Sequence, residues 1–268
     1  MEITSRDNRL IKEFRRLSDD ARYRRQSGKF TVEGARLCVD AARSGVVIEA
    51  VFVTEDARVR YPEHTAEVTA VAAVTYEIPD TLARHLSDTT SPQGIYAIAE
   101  MPHLPTAVDS LDNARGYAAL ETVQDPGNLG TMIRTAEAFG LGGILLSDGC
   151  CDPYSPKVLR ASMGGVFRLP LYAAGDLAET LPRLSAQGLR TVACVVDSDA
   201  EAVQTAALGV GTVVVIGNEG NGLRPATVDA CTQRVTIPMA GRAESLNASM
   251  AAGIVFWEMT RKGGSGDE

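Results

Sequence analysis

The chain has 268 residues, of which 45% are hydrophobic and 22% charged, and its formal net charge is -8. This composition is ordinary for a globular protein, and the length allows one large domain or two. The negative charge excludes a uniformly basic nucleic-acid binder, and no apolar run approaches the ~20 residues that cross a bilayer.

The cysteines, the histidines and the N-terminus indicate a reducing compartment and no metal. The five cysteines form no Cys-x-x-Cys pair and leave one cysteine unpaired, as expected of a protein without disulfides. The three histidines lack the spacing of metal ligands. The N-terminus has no apolar secretory segment. We therefore expect a cytoplasmic protein.

The first predicted element, a helix over residues 8–18, begins a strongly basic block. Nine Arg and Lys residues lie between Ser5 and Lys29, against four Asp and Glu residues. A basic block on an acidic protein indicates an anionic partner at that end of the chain. The alternative is a solvated helix face with ion pairs four residues apart.

Helical and strand-like patterns alternate along the rest of this first segment. We predict further helices over 22–25, 34–45, 62–69 and 78–86, and strands over 29–32, 48–53, 72–74 and 95–99. Such alternation predicts a small α/β unit. Residues 101–112 carry two prolines and little periodicity, and they are interpreted as a linker. The predicted domains are therefore 1–104 and 105–268.

The second segment repeats the alternation. We predict strands over 117–123, 144–146, 169–171, 191–196, 213–216 and 235–237, and helices over 129–139, 156–163 and 177–187. A last helix begins near Leu246 and is expected to turn Ala251, Ile254, Val255 and Trp257 inward, before a disordered tail over 263–268. The pattern predicts an α/β domain with a parallel sheet, in which ligands bind beyond the carboxyl ends of the strands.

A glycine-rich sequence, Gly217-Asn218-Glu219-Gly220-Asn221-Gly222, follows the strand over 213–216. Its glycines permit close approach of a ligand to the backbone. Burial of Glu219 is costly unless it is paired, and Arg134, which lies off the apolar stripe of its helix, is a candidate partner. The sequence lacks both the Gly-Lys-Ser/Thr of a P-loop and the G-x-G-x-x-G of a dinucleotide site. A plain tight turn is the alternative.

Three other polar residues are expected near this turn. Asn128 lies at or beside the start of one predicted helix, and Ser245 and Asn247 begin the last one. With Arg134 and Glu219 they would form a polar cluster that suits an adenosine-like ligand and an anionic second substrate. Helix capping is the structural alternative for Asn128 and Ser245, and an exposed surface arginine is the alternative for Arg134.

At these residues the sequence resembles the SpoU-TrmH family of SPOUT RNA methyltransferases. Residues 128–136, NLGTMIRTA, resemble the first family motif, N-x-G-x-x-x-R-T-A. Residues 216–223 resemble the second motif, and residues 237–239 with 245–249 resemble the third. Residues 30–34 and 90–95 resemble parts of the accessory substrate-binding domain of the family.

The resemblance implies a trefoil-knotted α/β domain, preceded by a small α/β RNA-binding domain. It also implies a homodimer whose active site lies near the dimer interface. The activity implied is methyl transfer from S-adenosylmethionine (SAM) to a ribose 2′-hydroxyl, without a metal. The accessory domain favours ribosomal RNA as the substrate.

The resemblance also assigns residues to the site, motif by motif. The catalytic set would be Asn128, Arg134, Glu219, Ser245 and Asn247. SAM would be bound by Gly217, Asn218, Ile237, Met239 and Leu246. In the family the matching arginine is proposed to activate the hydroxyl. Because arginine is not expected to lose its proton in proteins, binding the neighbouring phosphate and positioning the 2′-oxygen is favoured for Arg134 over the alternative role as a base.

Two other functions compete with this interpretation. A non-catalytic RNA-binding protein that retained the fold is one, although a pure binder would not need the whole polar cluster. A nucleotide-dependent oxidoreductase on an open α/β sheet is the other, although the dinucleotide motif is absent.

Overall fold

The computed structural model of the protein describes residues 1–106 and 111–263. It contains two compact units, Met1–His103 with Asp152–Phe167, and Leu104–Cys151 with Arg168–Glu268. Part of the predicted linker, 107–110, and most of the predicted tail, 264–268, lie outside the described residues. Within the described ranges, no helix is both long and apolar enough to cross a bilayer.

The first unit is built on a four-stranded sheet in the order β1-β4-β2-β3. Its strands are β1 (Lys29–Glu33), β2 (Ile48–Val53), β3 (Val74–Glu77) and β4 (Ile95–Glu100). Its helices are α1 (Arg9–Asp19), α2 (Ala21–Ser27), α3 (Ala35–Arg43), α4 (Glu55–Arg60), α5 (Pro62–Val71) and α6 (Asp80–Leu86). Each predicted element has a counterpart. The additional helix, α4, buries only Ala57 and so gave no apolar periodicity.

Helix α1 forms where the sequence predicts it because its apolar side chains recur on one face. Ile11, Phe14 and Leu17 are buried, and the Asn8 side chain accepts a hydrogen bond from the Leu10 amide at the start of the helix. The Phe14 ring packs edge-on against Phe52, with ring centroids 6.1 Å apart. The N-terminal helix is therefore part of the core of this unit.

The basic block does not lie entirely at the surface. Arg24 is only 3% exposed, and its guanidinium donates to the carbonyls of Leu17 and Ser18 and to the Asp152 carboxylate, at 2.6, 3.0 and 2.6 Å. A cation that is buried against three acceptors of its own chain cannot contact a partner. The prediction that the block faces an anionic partner is therefore wrong at Arg24. The exposed cations of the block are Arg6, Arg9, Lys12, Arg16, Arg22 and Arg25.

The second unit is built on a seven-stranded sheet in the order β7-β6-β5-β10-β8-β11-β9. Its strands are β5 (Tyr117–Leu120), β6 (Gly143–Ser147), β7 (Leu171–Gly175), β8 (Arg190–Cys194), β9 (Glu201–Ala202), β10 (Thr212–Ile216) and β11 (Gln233–Thr236). All neighbouring strands pair in parallel. The predicted α/β fold with a parallel sheet is confirmed, whereas the knot stays a prediction.

The described part of this half of the sequence contains six helices. They are α7 (Pro126–Ala138), α8 (Pro156–Ser162), α9 (Gly165–Arg168), α10 (Leu177–Ala186), α11 (Pro225–Asp229) and α12 (Ala248–Gly263). Helix α8 belongs to the first unit, in which the Tyr154 ring lies 5.1 Å from that of Phe30. The elements without a prediction, α9, α11 and β9, have at most five residues each, too few to show a period.

The inward face of α12 differs from the prediction. Trp257 is 52% exposed and Ile254 is 36% exposed, and the buried side chains are those of Ala252, Val255, Phe256 and Met259. Apolar residues occur around most of this helix, so periodicity alone did not identify the face that packs. The expectation for Val255 is confirmed, and those for Ile254 and Trp257 are wrong.

Candidate active site

The predicted site residues meet at the carboxyl edge of the second sheet. Strand β10 lies between β5 and β8, and Leu120 at the end of β5 pairs with Ile216 at the end of β10. The loop after β5 therefore leaves the sheet beside residues 217–223, which we call the glycine loop. Parallel strands commonly place ligand-binding loops together in this way.

Glu219 is held by neutral donors rather than by a cation. Its carboxylate accepts hydrogen bonds from the Asp125 amide at 3.0 Å, the Gln124 amide at 3.3 Å and the Asn128 side chain at 3.1 Å. Burial raises the pKa of the Glu219 carboxyl, but the hydrogen bonds from Asn128 and the backbone amides outweigh burial and lower the net pKa below 4.5. Glu219 is therefore a carboxylate at neutral pH.

Asn128 joins Glu219 to the last helix. Its Nδ2 donates to Glu219, and its Oδ1 accepts a 3.0 Å hydrogen bond from Nδ2 of Asn247. Oδ1 of Asn247 accepts from the amides of Ser249 and Met250, at 2.9 and 3.3 Å. Both amide groups thus have fixed orientations. The structure brings together Asn128, Glu219 and Asn247, which lie as many as 119 positions apart in the sequence.

Both predicted helix caps are displaced by a few residues. Helix α7 is capped by Asp125, whose carboxylate accepts from the Asn128 amide at 2.8 Å, and Pro126 follows as its first residue. Helix α12 is capped by Asn247 and not by Ser245. The Asp-Pro pair is a recognisable helix start, and it could have located the beginning of α7.

The glycine loop has a backbone that tolerates no side chain at its first residue. The amides and carbonyls of Asn218 and Gly222 bond each other in both directions at 3.0 Å. A Cβ on Gly217 would lie 2.3 Å from the carbonyl carbon of Gly222. The Asn218 side chain donates to the Thr122 carbonyl at 2.8 Å. Gly217 and Asn218 therefore fix the loop itself.

A cleft with a volume of about 80 Å³ lies beside the end of β11. Three of the predicted SAM-binding residues, Ile237, Met239 and Leu246, line it together with Ser245, whereas Gly217 and Asn218 do not. The other lining residues, which the sequence did not indicate, are Cys194, Val195, Val196, Val203, Val235, Thr236, Ala251 and Val255. A mostly apolar cleft with a few polar groups in its wall is typical of sites for organic ligands.

Arg134 stands apart from this cluster. It is exposed on α7, and among residues 1–106 and 111–263 no hydrogen bond or ion pair joins it to another residue. The predicted pairing with Glu219 is wrong within one chain, where the described contacts of the Glu219 carboxylate are to amide groups. The neighbouring Thr135 lies against Gly253 of α12, where an added Cβ would be 3.8 Å away.

A second carboxylate, Glu121, lies behind the glycine loop and was not anticipated. It is 1% exposed, and it accepts from the backbone amide and from Nε of Arg224, at 2.8 and 2.9 Å. Asp176 binds the far side of the same guanidinium at 2.7 Å. The carboxylates of Asp176 and Glu121 raise the pKa of Arg224. In the sequence, the position of Glu121 directly after the apolar strand β5 was the feature that could have indicated this buried carboxylate.

Within the described residues, no group of three or more His, Cys, Asp or Glu side chains is arranged to hold a metal ion. The cleft and the polar cluster instead offer apolar walls, amide groups and a carboxylate. Such an arrangement can bind an organic cofactor and position a polar substrate.

Comparison with known proteins relates both segments of the chain to RNA-modifying proteins. Residues 116–257 match the SpoU rRNA Methylase family, and residues 8–97 match the MRM3-like substrate binding domain. An uncharacterized tRNA/rRNA methyltransferase of Synechocystis sp. is 34% identical over 97% of this chain and 93% of its own length.

Two further relatives carry more specific descriptions. The 23S rRNA (guanosine(2553)-2′-O)-methyltransferase RlmP of Bacillus subtilis is 29% identical over 96% of this chain and 98% of its own. The crystal structure of an AdoMet-bound rRNA methyltransferase from Sinorhizobium meliloti superposes with a TM-score of 0.86 at 31% identity, and the match covers 97% of each chain.

Proposed function

This chain belongs to the SpoU rRNA methylase family, and we propose that it transfers the methyl group of SAM to a ribose 2′-hydroxyl of ribosomal RNA. The observation that carries the proposal is the chain of hydrogen bonds from Glu219 through Asn128 to Asn247, at the same sheet edge as a mostly apolar cleft. Family membership contradicts the oxidoreductase alternative. The described relatives, one acting on 23S rRNA and one binding AdoMet, support the substrate and the methyl donor.

The cleft supports SAM binding through its shape and its apolar walls. Ile237, Met239 and Leu246 would contact the adenosine part, and Ser245 lies at the same wall. The backbone of the glycine loop, with Gly217 and Asn218, would form one wall of the SAM pocket. When bound, SAM supplies a methyl group activated by a sulfonium. No metal is needed for such a transfer.

The polar cluster would position the RNA. A 2′-hydroxyl is a poor nucleophile until its proton is removed or its oxygen is held in line with the methyl group. As the new O–C bond forms, the S–C bond of the sulfonium would break to leave a neutral thioether, and the hydroxyl proton would leave to water. We assign Asn128 and Asn247 to shaping the pocket for the ribose, since their amide groups have fixed orientations. Arg134 would bind the phosphate next to the reacting ribose and fix the 2′-oxygen. The Glu219 carboxylate would pair with that guanidinium in the assembled site.

A homodimer would supply the missing arginine. Met250, Ile254 and Trp257 lie on one side of α12 and are 63%, 36% and 52% exposed. They form a largely exposed apolar stripe, which Phe139 covers in part, with its ring centroid 5.6 Å from that of Trp257. Arg134 lies on α7, beside this helix. We propose that two copies associate through this face, and that Arg134 of one copy completes the site of the other.

The dimer proposal is tested by analytical ultracentrifugation. We expect the wild-type chain to sediment as a dimer and Trp257→Asp to sediment as a monomer. Val59→Asp is the matched control, because Val59 is 73% exposed and lies on α4 of the first unit. A monomeric wild-type chain that still methylates RNA would contradict the proposal that Arg134 acts across an interface.

The first segment would bind the RNA. The domain division proposed is 1–104 for RNA binding and 105–268 for methyl transfer, in agreement with the match of residues 8–97 to a substrate binding domain. The exposed cations Arg6, Arg9, Arg22 and Arg25 are available to phosphates. Ribosomal RNA is met in the cytoplasm, where we expect the protein to act.

The function is tested by mapping 2′-O-methyl groups. Ribosomal RNA from cells with and without the protein is compared, and unmodified RNA is then incubated with the purified chain and SAM. We expect one 2′-O-methyl position to depend on the protein in both experiments. Isothermal titration with SAM separates the alternative, because RNA binding without SAM binding would favour the non-catalytic RNA-binding protein.

A further inference from the structure

Glu121 contacts both ends of the glycine loop. Its amide donates to the carbonyl of Ile216, the residue before the loop, at 2.9 Å. Its carboxylate accepts from the amide of Arg224, the residue after the loop, at 2.8 Å. One residue therefore holds together the two points at which the loop leaves and rejoins the fold.

The Glu121 carboxylate uses three of its about four acceptor sites within the chain. Besides the Arg224 amide, it accepts from Nε of Arg224 at 2.9 Å and from the Thr227 hydroxyl. It is 1% exposed, so it touches neither the cleft nor a bound RNA. Any effect of Glu121 on the reaction must therefore pass through the loop that it holds.

The residue that follows Glu121 has an unusual backbone conformation. Thr122 has a φ of 52°, which is sparsely populated by β-branched residues and is retained only where surrounding contacts enforce it. Its carbonyl accepts the side-chain amide of Asn218, and its amide donates to the Ser147 hydroxyl, at 2.8 and 2.9 Å. The end of β5 is thus shaped to receive the loop at three points, Ile216, Asn218 and Arg224.

Glu219 lies inside the loop held in this way. Its carboxylate reaches the Asp125 amide and Asn128 only if the loop keeps its position. Displacements of about 1 Å in a catalytic arrangement cost up to about a hundredfold in rate. A change at the base of the loop should therefore lower turnover although no substrate contact is altered.

We propose that Glu121 is a positioning residue for methyl transfer, which binds the two ends of the glycine loop so that Glu219 and the loop backbone stay in place beside the cleft. The inference rests on the proposed function. It assigns a role to a buried charge that the catalytic set does not include. Asp176, which binds only the far nitrogens of the same guanidinium, supplies the matched control.

The first test measures amide hydrogen exchange by NMR on the full chain without ligands. In Glu121→Gln, the amides of Gly220, Asn221 and Gly222, all bonded within the loop, should exchange at least about tenfold faster relative to core amides. In Asp176→Asn they should stay near the wild-type rates. Wild-type exchange in Glu121→Gln, or equal acceleration in both variants, would overturn the inference.

The second test measures methyl transfer with saturating SAM and RNA. Glu121→Gln should lower kcat at least about tenfold and leave KM for RNA nearly unchanged, whereas Asp176→Asn should keep kcat near wild type. If Glu121 and Asp176 contributed only to stability, kcat would fall in both variants in proportion to the decrease in their melting temperatures. That result, or a wild-type kcat in Glu121→Gln, would contradict the positioning role.

A milder variant covers the case in which Glu121→Gln does not fold. Thr227→Val removes one hydrogen bond to the carboxylate and leaves its pairing with Arg224 intact. It should show smaller changes in the same two measurements, and wild-type values in both would overturn the inference. A wild-type chain that methylates no RNA would overturn the proposed function instead, while the exchange rates still decide whether Glu121 holds the loop.

Discussion

Two glutamates at the same edge of the sheet have opposite surroundings. Glu121 is buried, and its charge is compensated by Arg224. Glu219, in the adjoining glycine loop, is exposed and is bound by amide groups that carry no net charge. The first arrangement is complete within the chain, and the second leaves a negative charge without a cation. The difference indicates where the fold is stabilised and where a substrate or a second copy can still be bound.

The largest expected effect tests whether Arg134 is the cation that the Glu219 region lacks. Arg134→Ala should lower methyl transfer at least about a thousandfold, because orientation of a reacting group contributes on that scale. SAM affinity should stay within a few-fold and thermal stability should be unchanged, since Arg134 is exposed. Radiolabelled methyl transfer and titration calorimetry measure both. Arg183→Ala, another exposed arginine of this unit, is the control, and wild-type turnover in Arg134→Ala would contradict the assignment.

The second-largest effect concerns the buried pair of Glu121 and Arg224. Arg224→Met should destabilise the protein by about 3 kcal/mol, because it leaves Glu121 buried without a cation. The free energy of unfolding in urea measures this change. Arg234→Met breaks an exposed contact with Asp197 and should cost less than about 1 kcal/mol. Equal losses in the two variants would remove the distinction between the Glu121 and Glu219 regions.

Asn247 separates stability from catalysis within the Glu219 region. Asn247→Ala removes the cap of α12 and should cost about 1 kcal/mol. Asn247→Asp keeps an acceptor for the cap but cannot donate to Asn128, so its stability should be close to that of the wild type while its methyl transfer falls. Thermal unfolding and single-turnover assays on both variants give the comparison. If Asn247→Asp retains full activity, Asn247 acts only as a cap.

The smallest effect is the dependence of stability on pH. Because the folded pKa of Glu219 is lowered, its contribution to stability is present above the unfolded pKa and is lost as pH falls through the folded pKa. Glu219→Gln should therefore be less stable than wild type at pH 6, with a smaller difference at pH 3. Urea unfolding at both values measures it, and Glu244→Gln, a change at another exposed carboxylate of the same unit, is the control.

Local features of the sequence predicted much of the fold. The apolar run over 213–216 and the residues around it gave β10 and the glycine loop, because hydrophobic period and glycine position depend on neighbours in the chain. The lining of the cleft was predicted only at Ile237, Met239 and Leu246. The valines that complete it follow β8 and β9 or lie in β11 and α12, and they look like ordinary core residues in the sequence.

The sequence by itself determined the family motifs, the parallel sheet and the residues that leave it at the carboxyl edge. Only the tertiary structure decided which polar groups pair, because such contacts join positions far apart in the chain, such as Asn128 and Glu219 at a separation of 91. It paired Glu121 with Arg224, buried Arg24 and left Arg134 at the surface. Periodicity describes which face of an element is apolar, but burial and pairing depend on the surfaces that elements present to one another.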